Sequence, residues 1–227
     1  MRGINGFFDF FIPRNCPSCK KKLKLEEICI CDECLSSIER VDSARLNLEY
    51  QRKFASTEII SGFTSLFVFE KDKALQLLIH SIKYNKRFLN ANYLGKLIGE
   101  NLRQEIMNWN VDIIVPVPLH SIRKADRGFN QSKYIAIGMG KELGINVKSN
   151  LLKRTRYTET QTNLTMKERE ENISDAFQAK QERLIEGKTF LLVDDVITTG
   201  ATIRECGRVL LDEGAVRVYA CSAAIAE

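Results

Sequence analysis

The sequence predicts an α/β fold in which a parallel sheet carries helices on both faces, preceded by a small cysteine-rich module. Short apolar runs alternate along the chain with segments of helical apolar spacing, as in a parallel sheet with crossover helices. Two Cys-x-x-Cys pairs near the N-terminus predict the module. Because 227 residues exceed the commonest domain size, we expect residues 1–45 to form the module with an aromatic N-terminal segment and residues 46–227 to form the α/β domain.

The individual elements are predicted from apolar spacing and turn residues. In chain order they are a helix within 36–54, an extended stretch at 59–70 formed as two short antiparallel strands, helices at 73–84 and 89–107, a strand at 111–117, a helix at 132–143, a strand containing 150–153, a strand at 189–193, a helix at 203–213 and a strand at 216–223. Cys206 and Cys221 fall within the apolar patterns of the last helix and strand, so we expect both in the core.

Four cysteines have the spacing of a zinc site. Cys16 and Cys19 form one Cys-x-x-Cys pair, Cys31 and Cys34 form another, and eleven residues separate the pairs. Four thiolates at this spacing suit tetrahedral Zn²⁺, and in a module too small to bury a core the metal supplies much of the folding energy. Cys29 is expected to be a buried apolar residue, although exchange with Cys31 as a ligand stays open. Disulfide exchange at the two pairs is the alternative.

Composition narrows the class of protein. The hydrophobic content of 44% and the charged content of 28% are ordinary for a soluble globular protein, and no apolar run reaches the length of a membrane span. The aromatic run at the N-terminus is too short and too interrupted for a secretory signal, so we expect a cytoplasmic protein in which this run packs on the cysteine module. The aromatic residues are Phe7, Phe8, Phe10 and Phe11.

Positive charge is concentrated in one part of the chain. Residues 120–160 carry nine basic and three acidic residues, whereas the net charge of the whole chain is +5. Such a concentration suits a pyrophosphate, a nucleic-acid backbone or both. The candidate DNA-binding residues are Arg123, Lys124, Lys153 and Arg154. The lysines interpreted as ordinary solvated residues are Lys133, Lys141 and Lys148.

Residues 190–202 are the most informative stretch of the chain. An apolar run ends in two adjacent carboxylates, Asp194 and Asp195, which can accept hydrogen bonds from a pair of vicinal hydroxyls. A hydroxyl-rich turn containing Gly200 then opens a helix, whose N-terminus offers unpaired N–H groups to a phosphate. Because open α/β sheets bind ligands at the carboxyl ends of their strands, the stretch predicts a sugar-phosphate site. The alternative is a strand end followed by ordinary helix caps.

Three further segments are expected near the same site. A proline-stiffened turn that includes Pro118, Leu119 and His120 directly follows a strand, and its alternative is an exit loop with no ligand role. Arg127 is a candidate phosphate contact, with a surface salt bridge as the alternative. A polar, basic stretch from residue 152 onward is expected to form a mobile lid. The polar lid residues singled out are Lys153, Arg154, Tyr157, Gln161, Arg169 and Asn172.

Together these residues resemble the ComF family, the ComFC/GntX-like phosphoribosyltransferase-fold proteins with an N-terminal zinc finger. The resemblance covers nearly the whole chain. Of the matching segments, only the acidic stretch is specific to the family when taken alone; the other segments are specific to it through their order along the chain. The matching residues are Cys16, Cys19, Cys31 and Cys34, then Ile82, Lys83 and Tyr84, then Pro116, Val117, Pro118 and Leu119, then Arg127 to Gln131, then Arg154, Gln161, Arg169 and Asn172, and finally Asp194 to Thr202. Cys29 is the one departure.

The resemblance implies a type I phosphoribosyltransferase-like fold that binds phosphoribosyl pyrophosphate (PRPP) with Mg²⁺. Asp194 and Asp195 would hold the ribose hydroxyls, residues 198–202 would hold the 5′-phosphate, and basic residues would hold the pyrophosphate. The implied PRPP-binding residues are Asp194, Asp195, Val196, Ile197, Thr198, Thr199, Gly200, Ala201, Thr202, Pro118, Leu119, His120, Arg127, Lys153 and Arg154.

The resemblance also implies a role in DNA uptake during natural transformation. ComF proteins handle incoming single-stranded DNA with a ComFA-type helicase and a DprA-type protein, and PRPP would then be a regulatory ligand. The alternative is an active phosphoribosyltransferase, in which pyrophosphate leaves the ribose C1 in favour of an unknown acceptor. Asp194 and Asp195 would be its catalytic residues.

Overall fold

The computed structural model describes residues 14–71, 73–84, 88–156 and 173–226. The four N-terminal phenylalanines and the lid residues from Tyr157 to Asn172 lie outside the described residues. What the sequence predicts for them stays a prediction.

The described residues contain seven strands, five of which form one parallel sheet in the order β1-β7-β6-β2-β3. Alternate residues of β6 enter opposite cores, Leu191 and Val193 on one face and Phe190 and Leu192 on the other. Burial on both faces explains why these strands are apolar runs rather than alternating sequences. The strands are β1 (Gly62–Val68), β2 (Ile113–Pro116), β3 (Asn146–Val147), β4 (Leu152–Arg154), β5 (Phe177–Ala179), β6 (Thr189–Ile197) and β7 (Arg217–Ile225).

Helices cover both faces of the sheet, as the sequence predicts. They are α1 (Asp32–Ser36), α2 (Ser43–Lys53), α3 (Ala74–Tyr84), α4 (Phe88–Asn101), α5 (Arg103–Asn108), α6 (Ser121–Arg127), α7 (Gln131–Leu143) and α8 (Ala201–Asp212). Helices α4 and α7 cross so closely that a Cβ at Gly95 would lie 2.0 Å from the Ile135 carbonyl oxygen, so only glycine fits there. The prediction of a single helix at 89–107 is wrong in detail. This stretch forms two helices, α4 and α5, which meet at Leu102.

One strand prediction is also wrong, and another is confirmed only in part. The stretch at 59–70 forms the single strand β1, parallel to β7, because six of its seven residues are buried and a surface hairpin would leave one face polar. The stretch at 150–153 does not join the main sheet. Its strand β4 pairs antiparallel with β5 in a separate two-stranded ribbon, since only Leu152 of β4 is buried while Lys153 is exposed.

The cysteine module shares the core of the α/β domain. Cys16, Leu23 and Ile30 belong to the same buried cluster as Phe67 of β1 and Leu78 of α3. Cys206 and Cys221 are fully buried, which confirms the prediction made for them. The proposed division at residue 45 stays a prediction; residues 45 and 46 both lie within α2.

No helix in the described ranges combines the length and the hydrophobicity that crossing a membrane requires.

Candidate functional site

The acidic pair lies within β6 rather than after it. The sequence predicts that the strand ends at Val193, but its pairing with β7 continues to Ile197, and Asp194 lies opposite Ser222. The extension follows β7, which continues to Ile225, so that Val196 pairs with Ala224 and Ile197 with Ile225. Both carboxylates are therefore held by strand geometry at the carboxyl edge of the sheet.

Asp194 has an environment that disfavours its charge. Its Oδ1 accepts hydrogen bonds from Ser132 Oγ at 2.8 Å and from the Asp195 N–H at 2.9 Å. Burial and then the neighbouring charge of Asp195 raise the pKa of the Asp194 carboxyl to about 7, against the opposing effect of these hydrogen bonds. At neutral pH the Asp194 carboxyl can therefore either accept or donate a proton.

Asp195 has the opposite electrostatic environment. The Val196 N–H donates to its Oδ1 at 2.9 Å, and Lys83 Nζ lies 2.7 Å from its Oδ2. Burial alone would raise the pKa of the Asp195 carboxyl, but Lys83, the Val196 N–H and Arg127 together lower it below the usual value. Asp195 is thus the member of the pair whose environment favours the charged form.

The turn after β6 forms a small hollow at the N-terminus of α8. A cavity of about 40 Å³ is lined by Asp194 and by residues 196–203, which include Val196, Ile197, Thr198, Thr199, Ala201 and Thr202. Gly200 has φ +75° and allows the chain to turn directly into the helix. Thr199 Oγ1 accepts from the Ala201 N–H at 3.4 Å, and the side chain of Thr198 is exposed. Backbone N–H groups, hydroxyls and helix dipole converge there, which is the chemistry of a phosphate site.

Helix α2 supports this turn from behind. The Arg204 guanidinium donates to the carbonyls of Thr199, at 3.1 Å, and of Lys53. A Cβ at Gly200 would lie 2.8 Å from the ring of Phe54, so glycine is required by space as well as by backbone conformation. The position of the turn is therefore fixed by an element that precedes it by about 150 residues in sequence, as the separation of Lys53 and Arg204 shows.

The proline turn after β2 lies beside the acidic strand. The Val117 N–H donates to the Val193 carbonyl at 2.9 Å, and Asn130 Nδ2 donates to the Val117 carbonyl at 2.8 Å. Pro118 and Leu119 line a second, larger cavity, whose lining is rich in basic residues. His120 is buried and caps α6, its Nδ1 accepting from the Ile122 N–H at 3.3 Å.

Arg127 ends α6 close to the acidic pair. Its Nη1 donates to Gln131 Oε1 at 3.4 Å, and its charge contributes to lowering the pKa of Asp195. The phosphate contact predicted for Arg127 stays a prediction. Gln131 itself is almost completely buried at the start of α7.

The larger, basic cavity has a volume of about 510 Å³ and lies between the β4–β5 ribbon and the corner joining α6 to α7. Its described lining contains five cationic side chains and no carboxylate; the cations are Lys124, Lys133, Lys153, Arg154 and Lys180. Arg154 also connects this cavity to the acidic site, because Asp194 acts on its charge. Burial, and then the nearby Arg123, lower the pKa of the Arg154 guanidinium.

Aromatic rings adjoin the basic cavity. Phe129 and Tyr134 both line it and pack edge to face with centroids 5.4 Å apart. The half-exposed ring of Phe88 lies 5.3 Å from that of Tyr134. Of these rings only Phe88 is exposed, Tyr134 is half-buried and Phe129 is buried, so stacking on a base would fall to Phe88 and Tyr134.

The four predicted cysteine ligands converge in the N-terminal module. The Sγ atoms of Cys16, Cys19, Cys31 and Cys34 all lie within 4.8 Å of one another, and Cys19 and Cys31 are 3.6 Å apart. Tetrahedral zinc with Zn–S bonds of about 2.3 Å requires S–S separations of about 3.8 Å, so this geometry fits Zn²⁺. Cys29 is buried and lies outside the group, which favours its interpretation as an apolar residue.

Comparison with known proteins agrees with this architecture. The model of the phosphoribosyl transferase domain matches residues 85–224. This chain belongs to the phosphoribosyltransferase family. Its curated relatives also support the ComF assignment predicted from the sequence.

Two curated relatives are named, one for competence and the other for DNA utilization. The chain is 28% identical to "Competence protein F" of Haemophilus influenzae over 86% of this chain and 83% of that protein. It is 35% identical to "DNA utilization protein YhgH" of Salmonella typhi over 63% of this chain, and spans 64% of the length of that relative. Among solved structures, the glutamine PRPP amidotransferase from B. subtilis is 25% identical, with a TM-score of 0.40 over 59% of this chain and 26% of that chain.

The phosphoribosyltransferase domain brings most of the predicted site residues together. Asp194 and the turn line one small cavity, Arg127 acts electrostatically on Asp195, and Lys153 and Arg154 line the basic cavity, where the charge of Arg154 is affected by Asp194. Sequence reasoning missed Lys83, Ser132 and Lys180, and interpreted Lys133, which lines the basic cavity, as an ordinary solvated lysine. Lys83 is part of a matching motif without an assigned role, and nothing in the local pattern around Lys180 indicates that it lines the same cavity as Lys124.

Proposed function

We propose that this chain is a DNA-uptake protein of the ComF type that binds PRPP and acts on single-stranded DNA or on a helicase partner in the cytoplasm. The PRPP proposal depends on one observation: two adjacent carboxylates on β6 are followed directly by the glycine turn that opens α8. The names of the relatives support the competence role.

Each part of PRPP has a counterpart in the site. The 5′-phosphate accepts hydrogen bonds from the turn over residues 198–202, and the ribose hydroxyls donate to Asp194 and Asp195. The pyrophosphate lies towards Arg127, Lys153 and Arg154, next to the turn of Pro118, Leu119 and His120. Mg²⁺ enters with the pyrophosphate, whose oxygens suit its preference for hard ligands. Structural Zn²⁺ is held by the four clustered cysteines.

The PRPP proposal is tested with the double variant Asp194→Asn, Asp195→Asn. We expect it to lose PRPP binding in calorimetry while keeping its fold and its zinc, because amides replace both carboxylates at nearly constant shape. Unchanged affinity in the double variant would overturn the site assignment.

The same region supports a second function, that of an active phosphoribosyltransferase, because cations adjoin the carboxylates. Phosphorus NMR with Mg²⁺, PRPP, mixed nucleobases and ammonia or glutamine separates the two. Growth of free pyrophosphate above the protein-free rate, abolished in the double variant, supports catalysis. Shifted PRPP signals without turnover support a regulatory ligand.

Direct DNA contact is assigned to the basic cavity and its neighbour Arg123. We expect Lys124→Gln with Lys153→Gln to weaken the binding of a labelled oligothymidine and to reduce the slope of log affinity against log salt by about 0.7 for each phosphate that is no longer neutralised. The control is Lys141→Gln, an exposed lysine on α7 outside the cavity lining. Salt-independent or absent binding by the wild type would leave only action through partner proteins such as a ComFA-type helicase or a DprA-type protein.

A further inference from the structure

Lys83 reaches the acidic pair from a helix that contributes no other residue to the site described above. It lies in the last turn of α3, and its side chain is 23% exposed while that of its partner Asp195 is 14% exposed. The neighbouring Ile82 is 1% exposed, and Ser81 Oγ donates to the Leu78 carbonyl at 2.7 Å. The end of α3 is therefore anchored in the core, and Lys83 is directed at the site rather than being a free surface lysine.

The hydrogen bonds of Asp195 limit what it can do for a ligand. Oδ1 accepts from the Val196 N–H and Oδ2 is bound by Lys83. Asp194 has Oδ1 engaged by Ser132 and by the Asp195 N–H. A sugar whose two hydroxyls approach this pair thus meets an ammonium already bound to one of the carboxylates. Either Lys83 leaves when the ligand binds, or it becomes part of the binding site.

The charges of the ligand favour the second outcome. An ammonium has three protons, and the ion pair with Asp195 uses one of them. A sugar pyrophosphate brings several negative charges next to two carboxylates, so a cation between them lowers the repulsion in the complex. Displacing Lys83 would instead leave the carboxylates and the pyrophosphate without this compensation.

We propose that Lys83 is a ligand-binding residue that joins Asp195 to a pyrophosphate oxygen of the bound sugar, and thereby makes the site selective for a sugar pyrophosphate over a sugar monophosphate. This inference rests on the proposed PRPP binding. In this proposal the carboxylates recognise the sugar hydroxyls, and Lys83, which is already bound to Asp195, adds a cation to those that recognise the pyrophosphate.

The test compares two ligands on three variants by calorimetry. We expect Lys83→Gln to weaken PRPP binding by about tenfold or more, the effect of losing a charged hydrogen bond. Ribose 5-phosphate, which lacks the pyrophosphate, should bind Lys83→Gln as well as the wild type or more tightly, because Asp195 Oδ2 is released. Lys83→Arg should recover part of the PRPP affinity. Lys96→Gln, which removes an exposed partner of Glu100 on α4, is the matched control and should change neither affinity.

The outcomes separate this inference from the function on which it rests. If Lys83→Gln binds both ligands as tightly as the wild type or more tightly, Lys83 merely blocks the site and the inference is wrong. Equal weakening for both ligands, with the fold retained, would also contradict it, because selectivity is then absent. If the wild type itself binds neither ligand, the proposed PRPP function fails, and the role of Lys83 fails with it.

Discussion

Asp194 and Asp195 are adjacent in sequence but have opposite electrostatic environments. Asp194 is buried beside a like charge and its pKa rises to about 7, whereas Lys83 and Arg127 lower the pKa of Asp195. Pairs of carboxyls with separated pKa values are typical of functional sites, since one member can stay charged while the other exchanges a proton.

The raised pKa of Asp194 predicts a pH-dependent cost to folding. Between the ordinary carboxyl pKa and about 7, the folded protein retains a proton that the unfolded chain has lost, so the stability contributed by this group falls as pH rises through that window. We expect Asp194→Asn to raise the free energy of unfolding by about 1–2 kcal/mol at pH 8 and by less at pH 5. The amide oxygen can still accept from Ser132.

Thermal unfolding of zinc-loaded protein at the two pH values provides the measurement. Asp212→Asn, which removes an exposed carboxylate beside Arg208, is the control and should change stability little at either pH. Destabilisation of Asp194→Asn at pH 8 would contradict the assignment of the raised pKa.

At the scale of elements, the phosphate turn depends on a contact with α2. Gly200 is needed both for its left-handed backbone and because Phe54 occupies the space of a side chain. Arg204 connects the same turn to the end of α2. The turn is thus held in one conformation by its neighbours, and phosphate binding there, as proposed, would lose less entropy for that reason.

Two glycines with the same backbone conformation distinguish the cost of backbone strain from the cost of a steric collision when alanine replaces glycine. Gly200 and Gly144 both have φ +75°, but a Cβ at Gly144 would meet nothing within 4 Å. We expect Gly144→Ala to cost about 1 kcal/mol of stability and to leave PRPP affinity unchanged. Gly200→Ala should cost more and weaken PRPP binding by about tenfold or more, because the turn must move away from Phe54. Equal PRPP affinities in the two variants would show that the turn does not bind the ligand.

At the scale of the whole molecule, the cysteine module and the sheet share one core. Cys16 and Ile30 pack in the same cluster as Phe67 and Leu78, so a metal held by the four cysteines, as proposed, would stabilise more than its own loop. Loss of the metal is therefore expected to reach the α/β domain.

Cys29 provides the control for an experiment that removes the metal, because it is a cysteine of the same module outside the four-cysteine group. We expect one Zn²⁺ per chain, lost in Cys31→Ser and retained in Cys29→Ala, because Cys31 belongs to the four-cysteine group and Cys29 does not. Chelation should lower the unfolding midpoint of the whole chain in a single transition. Zinc analysis with calorimetry measures both. An unchanged midpoint after complete metal removal would show that the module does not stabilise the domain.

The sequence by itself determined the fold class, the four-cysteine group and the order of the site motifs. These depend on local spacing: apolar runs define buried strands, Cys-x-x-Cys pairs define metal knuckles, and carboxylates before a glycine turn define a strand end opening a helix. The sequence also indicated Arg127 and Arg154, because cations next to helix starts and lids commonly contact phosphates.

Only the tertiary structure decided which distant residues meet. Lys83 of α3 and Ser132 of α7 come from two different helices, and no local pattern predicts that both meet the carboxylate pair of β6. The pairing of β1 with β7, the separate ribbon and the extension of β6 through Asp195 likewise depend on long-range strand contacts. The pKa values of the two carboxyls follow from that assembly, since burial and opposing charges exist only once the chain has folded.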